Sequence, residues 1–169
     1  GEAPGTSAAF QEAVEALYGI SYTLKFMSKQ RAVDPIDYTV MGLEALWWTD
    51  QGEFDPRKKD ALNWTAMILQ PEHITPEMFA EGLERLRAKR DGAAVERLRL
   101  ESWQEGLCVQ IMHIGPYDTE PATIDRLHAY AREQGYTLRG KHHEIYLGDP
   151  RRTAPDKLKT VLRQPVERA

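Results

Sequence analysis

The amino-acid sequence predicts an α+β fold in which helices cover one side of an antiparallel sheet. Apolar residues recur at helical spacing in some segments and alternate at strand spacing in others, and proline or glycine ends most of these segments. The order helix, strand, loop, strand, proline occurs twice along the chain. These two observations favour a fold assembled from two similar halves.

The ends of the predicted helices carry recognisable signals. Ser7 or Thr6 can cap the first helix, because a hydroxyl there accepts a hydrogen bond from a free backbone N–H, and Asp34-Pro35 ends the helical pattern. The second helix has Pro76 at its first position, where the missing N–H costs nothing. The second and third predicted helices are residues 75–90 and 121–134.

The strands are predicted from alternating or continuous apolar runs bounded by turn residues. Pro71 and Pro165 are expected to stop the second and the last of them, because proline cannot donate to a sheet ladder. The predicted strands are residues 38–49, 63–70, 96–103, 107–114, 141–147 and 157–163.

The two halves align as a degenerate duplication within one domain. Ile68-Leu69-Gln70-Pro71 matches Leu162-Arg163-Gln164-Pro165, and Glu44 aligns with Glu144. The first half should then also contain a strand before its helix, and this strand would lie upstream of Gly1. Without it one edge of the sheet would be unpaired, and a homodimer could pair that edge. The predicted parts are repeat one at about 6–71, a linking helix at about 75–90 and repeat two at about 95–166.

Composition indicates a globular protein with one core. The 169 residues are 41% hydrophobic and 28% charged, with 22 basic and 26 acidic side chains. A nucleic-acid-binding protein would usually be basic, and no apolar run approaches the ~20 residues that span a bilayer. The one cysteine, Cys108, excludes an intramolecular disulfide, and no signal peptide opens the chain. We therefore expect a cytoplasmic protein with no cofactor and no nucleic-acid or membrane partner.

Strand 141–147 carries the most informative side chains. Alternation places His143, Ile145 and Leu147 on one face, which we expect the helices to cover. His142, Glu144 and Tyr146 share the other face, where a carboxylate and a phenol two residues apart can reach the same bound molecule. The alternative is an ordinary solvated outer face.

Aromatic residues favour the ligand interpretation of that face. Trp47 and Trp48 project to opposite sides of their strand, and the aligned register places Trp48 with Glu44 as Tyr146 lies with Glu144. A carboxylate among aromatic rings suits a flat, apolar, cationic ligand. The alternative is that these rings fill the core.

Other chemistries have weaker support. Residues 135–142 resemble a phosphate-binding loop, but His142 replaces the required Ser or Thr and the glycines enter a strand rather than a helix. His142 and His143 point to opposite faces and cannot both bind one ion, and His113 could meet His142 only across strands. Three close ligands, as a metal site needs, are not visible in the sequence. Cys108 lies in an apolar strand without a partner base, which indicates an inert thiol.

Several segments together resemble the GyrI-like small-molecule-binding family. They are residues 10–18, 45–48, 109–117, 140–152 and 158–165. The resemblance implies two β-α-β-β (SHS2-type) repeats related by a pseudo-two-fold axis, with helices on one side of the sheet and a ligand groove on the other. It also implies that Glu144 and Tyr146 belong to the pocket. Some stand-alone members hydrolyse the strained cyclopropane of cyclopropanoid DNA-alkylating compounds, while related domains bind cationic aromatic drugs for transcription regulators.

The preferred hypothesis from this resemblance is a hydrolase that detoxifies such compounds. Glu144 would deprotonate water, and Tyr146 and Tyr117 would donate hydrogen bonds to the carbonyl oxygen that gains charge. The predicted ligand-contacting residues are Trp48, with Trp47 as second choice, His142, His113 and Glu44.

Two other hypotheses remain open at this stage. The same pocket could bind or sequester flat aromatic compounds without chemistry. A weaker third hypothesis, suggested by the family name, is an interaction protein that shields gyrase.

Overall fold

The computed structural model describes residues 7–50, 52–58 and 61–169 and confirms the α+β class. The described chain forms two compact units. The sheet unit comprises residues 42–65 and 103–169, and the helical unit comprises residues 7–41 and 66–102. No helix within the described ranges is both long and apolar enough to cross a membrane.

The helical unit packs three helices around one apolar cluster. These are α1 (Ala8–Lys29), α2 (Pro76–Arg87) and the short α3 (Ala93–Glu96). The predicted Ser7 cap is confirmed, since Ser7 Oγ accepts from the Phe10 N–H. Thr75 caps α2 in the same way, because its Oγ1 accepts from the Met78 N–H. The buried members of the cluster are Ala16, Ile20, Leu24, Ile74, Leu86 and Val95.

A six-stranded sheet forms the centre of the sheet unit. Its strands are β1 (Leu43–Trp48), β2 (Asn63–Ile68), β3 (Cys108–Ile114), β4 (Tyr136–Leu138), β5 (His142–Tyr146) and β6 (Lys159–Arg168). Their order is β2-β1-β5-β6-β3, and β4 pairs with β6 beside this path. The pairs β1–β5, β5–β6, β3–β6 and β4–β6 are antiparallel.

One face of this sheet, the covered face, packs against helix α4 (Glu120–Glu133). Ile124, Leu127 and Ala131 of α4 join Val109, Leu162 and Val166 of the sheet in a second apolar cluster. Side chains directly across an antiparallel ladder share a face. The pairs Ile111–Leu162 and Leu162–Glu144 therefore place Glu144 on the covered face too.

The predicted strand at 96–103 is wrong. Residues 93–96 form α3, and the described chain has no further strand until Cys108. Val95 and Leu98, three residues apart, both pack into the apolar cluster of the helical unit. Helical packing thus overrides the alternation that suggested a strand. The other predicted strands are present with shifted ends.

The expectation that Pro165 stops the last strand is also wrong. On one side, β6 pairs with β5 as far as Arg163 and with β4 from Val166 onward. Pro165 falls in the gap between these two ladders, so its missing N–H removes no ladder hydrogen bond on that side. The three-residue strand β4, which fills the end of this edge, was not predicted.

Candidate functional site

Glu144 lies at the centre of the candidate site. It is in the middle of β5 on the covered face and only 7% exposed. Tyr146 Oη donates a hydrogen bond of 2.6 Å to Glu144 Oε2, and Trp47 Nε1 donates to Tyr146 Oη over 3.2 Å. This chain from indole to phenol to carboxylate fixes the orientation of Glu144.

The prediction that Glu144, Tyr146 and His142 face away from the helices is wrong. All three project from the covered face, while His143 and Ile145 project from the opposite one. Strand β5 has polar side chains on both faces, so its own alternation does not identify the buried side. The apolar residues that decide it lie on β3, β6 and α4.

Glu44 and Trp48, both predicted to contact the ligand, lie on the other face of the sheet from Glu144. Glu44 pairs across the ladder with Ile145, and Ala45 pairs with Glu144. An offset of one residue moves every side chain to the other face. Trp48 consequently lies on the opposite face, where Lys141 Nζ is 3.4 Å from the centre of its ring.

Tyr117 reaches the site from the turn before α4, as the sequence suggests. Its ring meets that of Tyr146 edge-on, with 5.8 Å between the ring centres. Burial, together with the charges of Glu120 and Glu144, raises the pKa of Tyr117 to about 12. Burial and the charge of Glu144 likewise raise the pKa of Tyr146. Both phenols therefore keep their protons at neutral pH.

Glu120 is a member of the site that the sequence analysis missed. It is the first residue of α4 and is only 5% exposed. Burial, with the nearby charge of Glu144, raises the pKa of Glu120 to about 8. A glutamate in the first turn of a helix is ordinary, so its type and position gave no signal. The position of Tyr117 three residues earlier was the one usable hint.

The two histidines predicted to contact a ligand differ in their surroundings. His113 is satisfied within the protein, because its Nδ1 lies 2.9 Å from Thr123 Oγ1 and its Nε2 lies 3.2 Å from the Pro116 carbonyl oxygen. His142 is fully buried, with Nε2 3.4 Å from Glu144 Oε1. The structure therefore brings His142, and not His113, directly to the carboxylate.

The opposite face of the sheet holds a separate group of charges. His143 lies between two carboxylates, with Nδ1 3.0 Å from Glu105 Oε1 and Nε2 2.8 Å from Glu44 Oε2. Burial alone would lower the pKa of His143, but the hydrogen bonds to Glu105 and Glu44 outweigh it and raise the pKa. Arg163 contacts Glu105 at 3.1 Å. Every charge in this group has a partner, which is typical of a structural network.

The chemistry available on the covered face is that of one carboxylate among hydrogen-bond donors and rings. A carboxylate held in this way can accept a proton from water or pair with a cationic ligand. Among the described residues, no group of three or more His, Cys, Asp or Glu side chains could hold a metal ion.

Comparison with known proteins gives a family and several similar structures. The profile of the GyrI-like small molecule binding domain matches residues 6–167. An uncharacterized conserved protein from Listeria innocua is 38% identical with a TM-score of 0.87, and the match covers 99% of this chain and 84% of that chain.

Two similar structures carry a functional name. A structure of a hydrolase from Listeria innocua is 35% identical with a TM-score of 0.82, and another hydrolase structure from that organism is 36% identical with a TM-score of 0.83. Both matches cover 99% of this chain and 84% of the other chain. None of the curated proteins compared with the chain matches it.

Proposed function

This chain belongs to the GyrI-like small-molecule-binding family, and on that premise we propose that it hydrolyses electrophilic aromatic compounds, with cyclopropanoid DNA-alkylating agents as the substrate class. The observation that carries the proposal is the buried Glu144, which Tyr146 and Trp47 hold in one orientation. The hydrolase name of two structures about one third identical supports this direction.

In the proposed reaction, water opens the strained ring of a spiro-cyclopropyl dienone. The water oxygen bonds to a cyclopropane carbon, and Glu144 takes the proton that the water releases. The carbon–carbon bond breaks, and its electron pair moves through the ring to the carbonyl oxygen. That oxygen becomes a phenol oxygen and gains one proton, so the product is the substrate plus one water.

The donors to that oxygen differ from the sequence hypothesis. The Tyr146 hydroxyl already donates to Glu144, so its role in this proposal is to position the carboxylate. Tyr117 keeps its proton to high pH and is 39% exposed, which leaves it as the donor to the developing negative charge. Glu120 is the second candidate donor, because burial keeps its carboxyl protonated at neutral pH.

A non-catalytic binding module is the alternative. The family description supports binding of small molecules in general, and a buried Glu144 beside Trp47 and Tyr146 could act as the counter-charge for a flat cationic ligand. In that case the ligand would leave the protein unchanged.

A mass-spectrometric time course with a cyclopropanoid compound separates these functions. We expect the wild type to form a product heavier by one water over many turnovers, and Glu144→Gln to lower turnover on the order of 10²-fold or more. Glu133→Gln, an exposed change on α4, is the matched control and should keep full turnover. Unchanged compound that co-elutes with the protein would indicate the binding module instead.

A further inference from the structure

The ring of Phe54 lies flat against the buried imidazole of His142. The two ring centres are 4.4 Å apart and the planes differ by 4°. Phe54 belongs to the segment 52–58, which follows β1, and it also packs against the apolar cluster that α4 forms with the sheet. A side chain from a connecting segment thus covers the imidazole that neighbours Glu144.

The polar atoms near this ring are not satisfied. Within the described part of the chain, neither Nδ1 nor Nε2 of His142 has a hydrogen-bond partner, and neither does Nε2 of His128. The two imidazoles meet edge-on, with 6.5 Å between their centres. Buried polar atoms in proteins are almost always paired, so three unpaired ring nitrogens at one place require an explanation. The hydrocarbon ring of Phe54 supplies stacking but no hydrogen bond.

Two exposed ion pairs tie the segment to α4. Glu53 Oε2 contacts Arg132 Nη2 at 2.6 Å, and the guanidinium of Arg57 contacts the carboxylate of Asp125. All four side chains are more than half exposed, so these pairs contribute little stability and can separate easily. A pocket of about 310 Å³ beside Phe54 is lined by Glu53, Arg57, Ile124 and His128, among others.

We propose that Phe54 occupies a ring-binding subsite, and that a flat heteroaromatic ligand displaces it. The ligand ring stacks on His142 in the place of the Phe54 ring. The N–H on the ligand's edge, as in an aromatic lactam, donates to the free Nε2 of His128, whose ring stands edge-on to that of His142.

This inference rests on the proposed function, since it adds a subsite to the same pocket. His142 Nε2 is 3.4 Å from Glu144 Oε1, so a ring stacked on His142 lies directly beside the carboxylate. The segment 52–58 then acts as an intramolecular competitor that any ligand must displace.

The test is the dissociation constant of quinolin-2(1H)-one, a bicyclic lactam, measured by calorimetry on the whole chain. Phe54→Ala should tighten binding about ten-fold or more, because the variant no longer has to expose a partly buried aromatic side chain when the ligand enters. Arg57→Ala should tighten binding to a smaller extent by loosening the segment. Arg85→Ala, which breaks an exposed ion pair on α2, is the matched control and should leave the constant unchanged.

A second comparison tests the hydrogen bonds. N-methylquinolin-2-one keeps the flat ring but lacks the donor, and the wild type should bind it several-fold more weakly than the parent lactam. His128→Phe keeps an aromatic ring but removes the accepting nitrogen, and this variant should reduce the discrimination.

Several outcomes would overturn the inference. An unchanged dissociation constant in Phe54→Ala would mean that Phe54 has no role in binding. Weaker binding by this variant would mean that Phe54 is a fixed part of the binding site. Absence of lactam binding in both the wild type and Phe54→Ala would also overturn it. Turnover of a cyclopropanoid that depends on Glu144 would in each case leave the proposed function standing. Conversely, tighter lactam binding by Phe54→Ala, with no turnover of a cyclopropanoid by the wild type, would contradict the proposed hydrolase function and support the subsite.

Discussion

The buried carboxyl of Glu120 makes the stability of this protein depend on pH in a way that one substitution can remove. Burial and the charge of Glu144 raise the pKa of Glu120 from 4.5 to about 8 in the folded state. The unfolded chain releases this proton near the ordinary glutamate pKa, while the folded protein keeps it until about pH 8. The stability contribution is therefore fully present below pH 4.5 and is lost as the pH rises towards 8.

The size of the effect follows from proton linkage. Over the window in which only the unfolded state has released the proton, the free energy of unfolding falls by about 1.4 kcal/mol per pH unit. Two pH units thus correspond to at most about 3 kcal/mol. Glu120→Gln keeps a neutral side chain of similar shape and cannot ionise. Its stability relative to the wild type should increase from pH 5 to pH 7 by up to this amount.

Urea unfolding of both proteins at half-unit pH intervals measures the difference directly. All other titrating groups are common to the two proteins, so their contributions largely cancel. Glu133→Gln, on the exposed side of the same helix, is the matched control for the loss of one carboxyl group. Parallel stability curves for the wild type and Glu120→Gln would refute the reasoning, because they would show that Glu120 ionises like a surface carboxyl.

Three further predictions follow from burial and hydrogen bonding. Tyr146→Phe removes the hydroxyl that bonds to both Glu144 and Trp47, and it should lower the free energy of unfolding in urea by about 1–3 kcal/mol. The exposed Tyr130→Phe should lower it by less than about 0.5 kcal/mol, and equal losses would contradict the hydrogen-bond network. Leu162→Ala, at a fully buried position, should cost about 2–5 kcal/mol, and a loss below about 1 kcal/mol would show that the core is elsewhere. In an NMR titration His143 should have a pKa above 6.5 because of its carboxylate partners, and His128 a pKa below 6.5 because of burial; the reverse order would contradict both environments.

Much of the fold could be predicted from local signals. Hydroxyl caps such as Ser7 and Thr75 define helix starts through hydrogen bonds within a few residues, and the structure retains both. The strand at 96–103 could not be excluded locally, because the packing of Val95 and Leu98 depends on distant helices. Pro165 was misjudged for the same reason, since its tolerance depends on which partner strands flank it.

The composition of the candidate site was easier to predict than its geometry. Glu144, Tyr146 and Tyr117 do come together, because two of them share a strand face and the third follows a strand end. Which face is buried depends on residues from other elements, and the choice between Trp47 and Trp48 depends on register. Neither can be obtained from one strand alone. Glu120 was missed because only its burial distinguishes it.

Strand β6 has a consequence for how this protein is made in the cell. It pairs with β3, β4 and β5, and all three precede it in the chain. During synthesis, β3 and β4 therefore leave the ribosome without the neighbour that completes their ladders. The apolar side of α4 also lacks two of its packing partners at that stage, because Leu162 and Val166 both belong to β6. We expect the nascent sheet unit to expose apolar surface and unpaired strand edges until its final strand emerges. It should therefore bind chaperones that hold incomplete chains.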